Sequence, residues 1–373
     1  MKKVNNFLPL KEGLKRAPLL LSIALTCSLS TSAFADDVLA AEKQLLSGLK
    51  SIQNLSVDRA LEDFNALSER YPNYKLVQLL KADLLALKSG QSALLDNIHS
   101  QNPRTVGRLQ NEAVVRWQFA QSEFPNNRAF ERYVLKMGEQ PSFVLVDLSE
   151  NRLYIYERDE QGQMQQVANY YISMGRAGAG KKREGDRGTP LGVYHIVALL
   201  PDSEVSELYG IGALPINYPN DWDLKKGRTG SGIWLHGTPR DTYIRDPNAS
   251  RGCVVLNNKA MEKLLAMYRL PFETPFLIVD SLSDLVDAKE ANNQSSNDLV
   301  LLEVKNWLNS HYVSVDWDRV SVYRYPEEKD LLYVTFPSDM ENQWIHQYWQ
   351  RGENGDWKMV MESESDKNFD TKA

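Results

Sequence analysis

Hydrophobic positions along the chain follow two different periods. Between residues 37 and 138 they recur at helical spacing. Val57-Asp58-Arg59-Ala60-Leu61-Glu62-Asp63-Phe64-Asn65-Ala66-Leu67 carries apolar side chains at i, i+3, i+4 and i+7, and Pro72 lies just past the point where the pattern breaks. A second helical stretch runs from Tyr74 to Leu87. At Pro141 the period changes. Phe143-Val144-Leu145-Val146-Asp147-Leu148, the polar turn Ser149-Glu150-Asn151, and Leu153-Tyr154-Ile155-Tyr156 read as a β-hairpin. Further strands are expected at 167–174, 193–197, 233–236, 254–256 and 276–279, with Gly and Pro clusters between them and one helix at about 258–268. Such a run of short strands suggests a β-sandwich or barrel. Residues 289–298 have linker composition, and beyond them Val300, Val304, Trp307 and Leu308 mark one face of an amphipathic helix over about 299–311. Aromatic-rich strands follow near 331–336, 344–349 and 357–361.

Composition narrows the class without fixing it. The 373 residues predict two or three domains at roughly 100–200 residues each. A net charge of −6 and the absence of a Lys/Arg block argue against a nucleic-acid partner, whose phosphates demand a basic face. At the N-terminus, Lys2, Lys3, Lys11, Lys15 and Arg16 precede an apolar run from Ala17 to Leu29, and Ala33-Phe34-Ala35 supplies a small-x-small cleavage site. Residues 1–35 therefore read as a cleavable signal peptide, which implies export to the periplasm and no stable membrane span after its removal. Gly48, Ala60, Phe64 and Pro72 sit at spacings that resemble one tetratricopeptide-type repeat, with a plain helical hairpin or small bundle as the alternative. The expected division is 1–35 signal peptide, 36–140 helical (tetratricopeptide-like) domain, 141–282 strand-rich domain, 283–298 linker and 299–373 C-terminal module.

Once residues 1–35 are removed, Cys253 is the remaining cysteine. An odd cysteine in an exported protein is either an intermolecular bridge or a reactive thiol. A thiol of pKa about 8.5 is only partly ionised at neutral pH, so acyl-transfer chemistry calls for an imidazole beside it to take the proton. His236 is the candidate, because it and Cys253 each stand at the edge of an expected strand and adjacent strands would bring them together. Gly252 leaves backbone room next to the sulfur for amides to face a carbonyl oxygen that becomes negative during attack. The bland alternative is a buried inert thiol and an unrelated histidine. His195 and His236 could join Cys253 around a metal, but no short-spaced ligand pair exists, so neither a metal nor a cofactor is expected.

His236-Gly237-Thr238 followed by Ser250-Arg251-Gly252-Cys253 resembles the signature of the L,D-transpeptidase (YkuD) catalytic domain, which acts on bacterial peptidoglycan. The likeness extends over about Pro141 to Asp280. It includes the hairpin Val146–Tyr154, the segment Ile172-Ser173-Met174-Gly175-Arg176, the turn Thr189-Pro190-Leu191-Gly192-Val193-Tyr194, and Gly227–Trp234 leading into His236. The resemblance implies a multidomain α+β chain with a helical N-terminal region and a central, mainly-β YkuD-type sandwich. Its C-terminal α+β module resembles part of an NTF2-like (cystatin-like) cone, as in a subgroup similar to the cell-shape L,D-carboxypeptidases of helical bacteria.

Carried over by residue, the resemblance makes Cys253 the nucleophile, His236 its base and the Gly237 carbonyl the group that orients the imidazole. It places the amides of Gly252 and Cys253 in the oxyanion hole, with Ser250 shaping the turn. Arg251 stands where the family often has a second histidine, and its planar cation suits a substrate carboxylate, a salt bridge within the loop being the plainer role. The implied reaction is cleavage of the diaminopimelate–D-alanine bond of a tetrapeptide stem and transfer to an amine, as a 3-3 cross-link or an anchored protein. An L,D-carboxypeptidase or endopeptidase using water is the alternative within the same chemistry, and a non-catalytic wall-binding scaffold is the alternative of another class. The partners implied are peptidoglycan stem peptides, a protein acceptor, and wall-synthesis proteins recruited through the helical domain. Residues Ala213–Gly232 read either as a flap over the site or as a packed loop, and Lys181-Lys182-Arg183 reads as a solvated basic turn.

Overall fold

In a computed structural model, residues 28–121, 129–268, 270–282, 294–338 and 343–366 are described. The expected signal peptide falls largely on residues 1–27, outside them, as does most of the expected linker. No described helix is long and apolar enough to cross a membrane.

The helical period yields α1 (Ser28–Gln53), α2 (Val57–Arg70), α3 (Lys75–Lys88), α4 (Ser92–Gln101) and α5 (Pro103–Gln121). Ala60, Leu61, Phe64 and Leu67 of α2 are buried against Ala41 and Leu45 of α1 and against Leu76, Val77 and Leu84 of α3, so one stripe of α2 builds this core. Gly48 lets α1 approach that stripe: a Cβ there would lie 2.5 Å from the Phe64 ring.

Next come β1 (Val134–Lys136), β2 (Ser142–Asp147), β3 (Arg152–Arg158), β4 (Met164–Tyr171), β5 (Met174–Gly175), β6 (Gly192–His195), β7 (Leu200–Pro201), β8 (Gly212–Pro215) and the short α6 (Asp221–Lys225). They are followed by β9 (Trp234–His236), β10 (Asn248–Ser250), β11 (Val254–Val255), α7 (Asn258–Met267) and β12 (Pro275–Val279). The strand expected over 167–174 is broken after Tyr171, and its end pairs elsewhere as β5. Five strands form a central sheet in the order β4-β3-β2-β12-β6, and four form a second sheet in the order β11-β9-β8-β7. Val144, Val146, Leu153, Ile155, Phe276 and Ile278 point from the central sheet into a core shared with Leu214, Leu235, Val254 and Leu264 of the second sheet and α7. The interleaved residues Phe143, Leu145, Tyr154, Tyr156, Leu277 and Val279 face the other way and are equally buried.

That second face is covered by the C-terminal module, α8 (Gln294–His311), β13 (Ser321–Arg324), β14 (Leu331–Pro337), β15 (Gln343–Arg351) and β16 (Trp357–Asp366). Its antiparallel sheet runs β1-β13-β14-β15-β16, so its edge strand comes from before the strand-rich domain. Alternation sorts the two faces. Val322, Leu332 and Val334 lie under Val300, Val304 and Leu308 of α8. Tyr323, Leu331, Tyr333 and Tyr348 meet the central sheet.

The helical domain is joined to the central sheet by buried charge. Arg116 of α5 pairs with Glu42 of α1 and sits 2.9 Å from Glu112, while Arg152 of β3 reaches the same Glu42 at 2.9 Å. The Tyr74 hydroxyl donates to Glu112 at 3.1 Å. The two guanidinium groups lie 3.7 Å from the ring centres of Tyr171 and Phe119, respectively. Burial raises the Glu42 carboxyl, but Arg116 and Arg152 outweigh it and hold the group below its ordinary value. Glu112, with only one of those arginines, is pushed up by burial to about 7.

Candidate active site

β9 and β11 lie parallel, with Val254 opposite Leu235 and Val255 opposite His236. This pairing sets Cys253, which immediately precedes β11, beside the strand that His236 ends. The Leu256 amide donates to the His236 carbonyl at 2.9 Å and extends the pairing past β11. Cys253 is partly exposed, and its Sγ donates to the Gly232 carbonyl at 3.4 Å. His236 is buried, with Nδ1 2.6 Å from the Gly237 carbonyl oxygen. A carbonyl only accepts, so Nδ1 carries the hydrogen and the Nε2 lone pair is left to take a proton.

Two residues without a sequence signal hold that carbonyl in place. The Asn258 side chain accepts from the Thr238 amide at 3.0 Å and donates to the Thr238 carbonyl at 2.7 Å. The Gly237 amide donates to the Tyr209 carbonyl at 3.0 Å, and the Tyr209 ring stands edge-on to the imidazole with centroids 4.9 Å apart. Tyr209 bonds through its backbone carbonyl and Asn258 through its side-chain amide to the backbone of Thr238, and neither belongs to a pattern that marks it in the sequence.

The turn before the cysteine is tied internally. Ser250 Oγ donates to the Cys253 carbonyl at 2.7 Å and accepts from the Gly252 amide at 3.0 Å, while Thr189 Oγ1 donates to the Gly252 carbonyl at 3.0 Å. Ser250 thus shapes the turn. The Gly252 amide, expected in an oxyanion hole, donates to Ser250 Oγ. The Trp234 amide bonds to the sulfur and favours its thiolate. Gly252 has φ +130°, and a Cβ on it would sit 2.7 Å from the Gly188 carbonyl oxygen, so both conformation and space require glycine. Gly252→Ala is expected to cost about 1–3 kcal/mol of stability and to displace Cys253. Urea unfolding alongside a thiol-acylation rate checks this; a variant with wild-type values in both would show the turn to be tolerant.

Burial lowers the His236 imidazole to about 4, against the pull of the Gly237 carbonyl and with a contribution from Arg245. Burial raises the Cys253 thiol, opposed by the Trp234 amide, Arg245 and Lys181. Both shifts favour the uncharged forms, a thiol and an imidazole. Lys181, expected on a solvated turn, is buried and bonds to Asp186 at 2.9 Å. Arg251 is exposed beside the turn.

The segment Ala213–Gly232 is packed in its first half, which includes most of β8 and the start of α6, whereas residues 224–227, 229, 231 and 232 are exposed. Trp222 is 1% exposed, stacks on Tyr348 at 5.6 Å and donates to Glu328 at 2.9 Å, while Asn220 donates to the Tyr325 hydroxyl at 3.1 Å. Tyr218, like Trp222, is buried. His195 does not join Cys253 either. It lies with Glu273 and His346 at the junction with the C-terminal sheet.

Residues 141–276 match the family described as the L,D-transpeptidase catalytic domain, YkuD. Among solved structures, Bd1075 of Bdellovibrio bacteriovorus is 23% identical, with 63% of this chain and 98% of that one covered and a TM-score of 0.46. The helical cell shape determining protein Pgp2 of Campylobacter jejuni is 22% identical over 60% of this chain and 91% of that one, with a TM-score of 0.42. An L,D-transpeptidase of Xylanimonas cellulosilytica is 20% identical over 38% and 61%, with a TM-score of 0.26. No curated protein matches the sequence.

Proposed function

We propose, on the premise that residues 141–276 form an L,D-transpeptidase catalytic domain, that this protein is a periplasmic, cysteine-dependent acyltransferase of peptidoglycan stem peptides. The observation that carries the reading is the bond from His236 Nδ1 to the Gly237 carbonyl, which aims the basic nitrogen of a buried imidazole from the strand beside Cys253. Sγ attacks the diaminopimelate carbonyl at position three of a tetrapeptide stem, and His236 Nε2 takes the thiol proton as the C–S bond forms. The imidazolium returns that proton to the departing D-alanine amine, and a thioester remains. An amine acceptor then gives a 3-3 cross-link or an anchored protein; water would give carboxypeptidation. Arg251, exposed beside the nucleophile, serves the substrate carboxylate with its planar fork. The test is mass spectrometry of muropeptides after incubating residues 36–373 with purified sacculi. Cross-linked products joined through diaminopimelate support transfer, tripeptide products alone would assign hydrolysis, and unchanged stems would refute the reading.

The pH dependence follows from the neutral pair. His236 accepts a proton only above its own pKa, so kcat/KM for acylation is expected to fall on the acid side with a midpoint at about 4. A midpoint near 6.5, the ordinary imidazole value, would mean that burial does not govern this group.

A further inference from the structure

We propose that His195, Glu273 and His346 bind one divalent metal ion, zinc by their donor set, which clasps the C-terminal module to the catalytic domain. The three come from separate segments: the end of β6, the turn before β12, and β15 of the C-terminal sheet. All are buried, and their nearest donor atoms lie within 4.8 Å of one another. His195 Nε2 is 3.3 Å from Glu273 Oε1, and His346 Nε2 is 3.8 Å from Glu273 Oε2. Tetrahedral zinc with bonds of about 2.0–2.2 Å holds its donors roughly 3.3–3.6 Å apart, a spacing the two Glu273 contacts approach, while donors as far apart as 4.8 Å must draw together.

The surroundings are those of a ligand set. His346 Nδ1 lies 2.6 Å from the Tyr333 hydroxyl and 3.2 Å from Thr335 Oγ1, oxygens that can accept its hydrogen and leave Nε2 free to coordinate. Ser365 Oγ stands 2.8 Å from His346 Nε2 and 2.6 Å from Glu273 Oε1, where it can hold a fourth, water ligand or serve as one. His195 Nδ1 is buried with no hydrogen-bond partner among the described residues, and its ring stacks on that of His346 with centroids 4.9 Å apart, so shared coordination requires one ring to rotate out of the stack. Glu273 occupies φ +65°, a conformation that costs a non-glycine residue energy, and its backbone is held there by the amide bond to the Ile196 carbonyl at 3.0 Å. Among the described residues, no Lys or Arg pairs with the Glu273 carboxylate. A divalent ion would supply the positive charge that an ionised Glu273 needs there.

The test uses untagged full-length protein after signal removal, in a Cys253→Ala background so that the thiol cannot contribute. Metal content is measured after dialysis against zinc and then buffer, and melting is followed before and after chelation. The expected result is one zinc per chain, a melting temperature that drops on chelation and recovers on reloading, and visible tetrahedral bands after cobalt substitution. Glu273→Gln and His346→Ala should lose the metal and the chelator response. Protein that takes up no zinc, or variants that bind it as the parent does, would overturn the proposal. Because the parent is measured before any ligand is changed, a misfolded variant does not obscure the outcome.

Discussion

Cys253→Ala will abolish acyl-enzyme formation, a loss on the order of 10⁴- to 10⁶-fold, while the protein stays folded. The expectation of an intact fold rests on the partial exposure of Cys253 and on the modest contact its sulfur makes, a 3.4 Å bond to the Gly232 carbonyl. The strand pairing around it is made by the backbone of Val254 and Val255, which alanine leaves in place. His236→Gln should be less severe, at roughly 10²- to 10⁴-fold, because it removes the proton acceptor but leaves the nucleophile. Intact-mass measurement after exposure to a carbapenem, whose strained lactam carbonyl the thiol attacks, separates the two. The alanine variant should gain no mass and the glutamine variant should gain it slowly. A full adduct on Cys253→Ala would place the nucleophile elsewhere.

Arg116→Met should lower stability by about 3–5 kcal/mol, the usual cost of removing one partner from a buried ionic network. The guanidinium is 3% exposed and serves Glu42 and Glu112 together. Its loss leaves Glu42 with Arg152 alone and Glu112 with only the Tyr74 hydroxyl. Glu112→Gln makes the contrast, since an amide oxygen still accepts from Tyr74 and Arg116. The folded pKa of Glu112 is raised from 4.5 to about 7, so the folded chain holds a proton that the unfolded chain has released. Stability therefore declines as pH rises from 4.5 through about 7, and Glu112→Gln should remove that decline. Urea unfolding at pH 5 and pH 8 measures both effects. A loss below about 1 kcal/mol for Arg116→Met would show that water reaches the network.

Cys253 and His236 were legible as a candidate pair because the signal is local: a glycine-preceded cysteine and a histidine, each at a strand edge and close in sequence, which the pairing of β9 with β11 sets on neighbouring strands. The amphipathic helices and most strands were legible from their periods. What escaped notice depended on distance along the chain. Strand β1 has three residues and no pattern of its own, and it exists because β13 lies beside it. His195, Glu273 and His346 are far apart in sequence, so the absence of a short-spaced ligand pair said nothing about them. The burial of Trp222 has no local signal, because the Tyr348 ring that holds it belongs to another module. Phe143-Val144-Leu145-Val146 does not alternate, and such an unbroken apolar strand carries a signal beyond that of a hairpin, burial on both faces.

The pairing of β1 with β13 also sets an order of events in synthesis. Val134 finds Tyr323 only after the entire catalytic domain and α8 have been made. Until then, Phe143, Leu145, Tyr154 and Tyr156 have Phe130 and Trp222 beside them but not Tyr323, Leu331, Tyr333 or Tyr348, and a nascent chain ending near residue 282 would present a partly uncovered aromatic face and an unpaired strand. Closure of so long a loop is slow in the way non-local β pairing is slow. The chain therefore depends on being kept from self-association until its last strands arrive, and a stop codon before β13 should yield aggregate in place of a smaller enzyme.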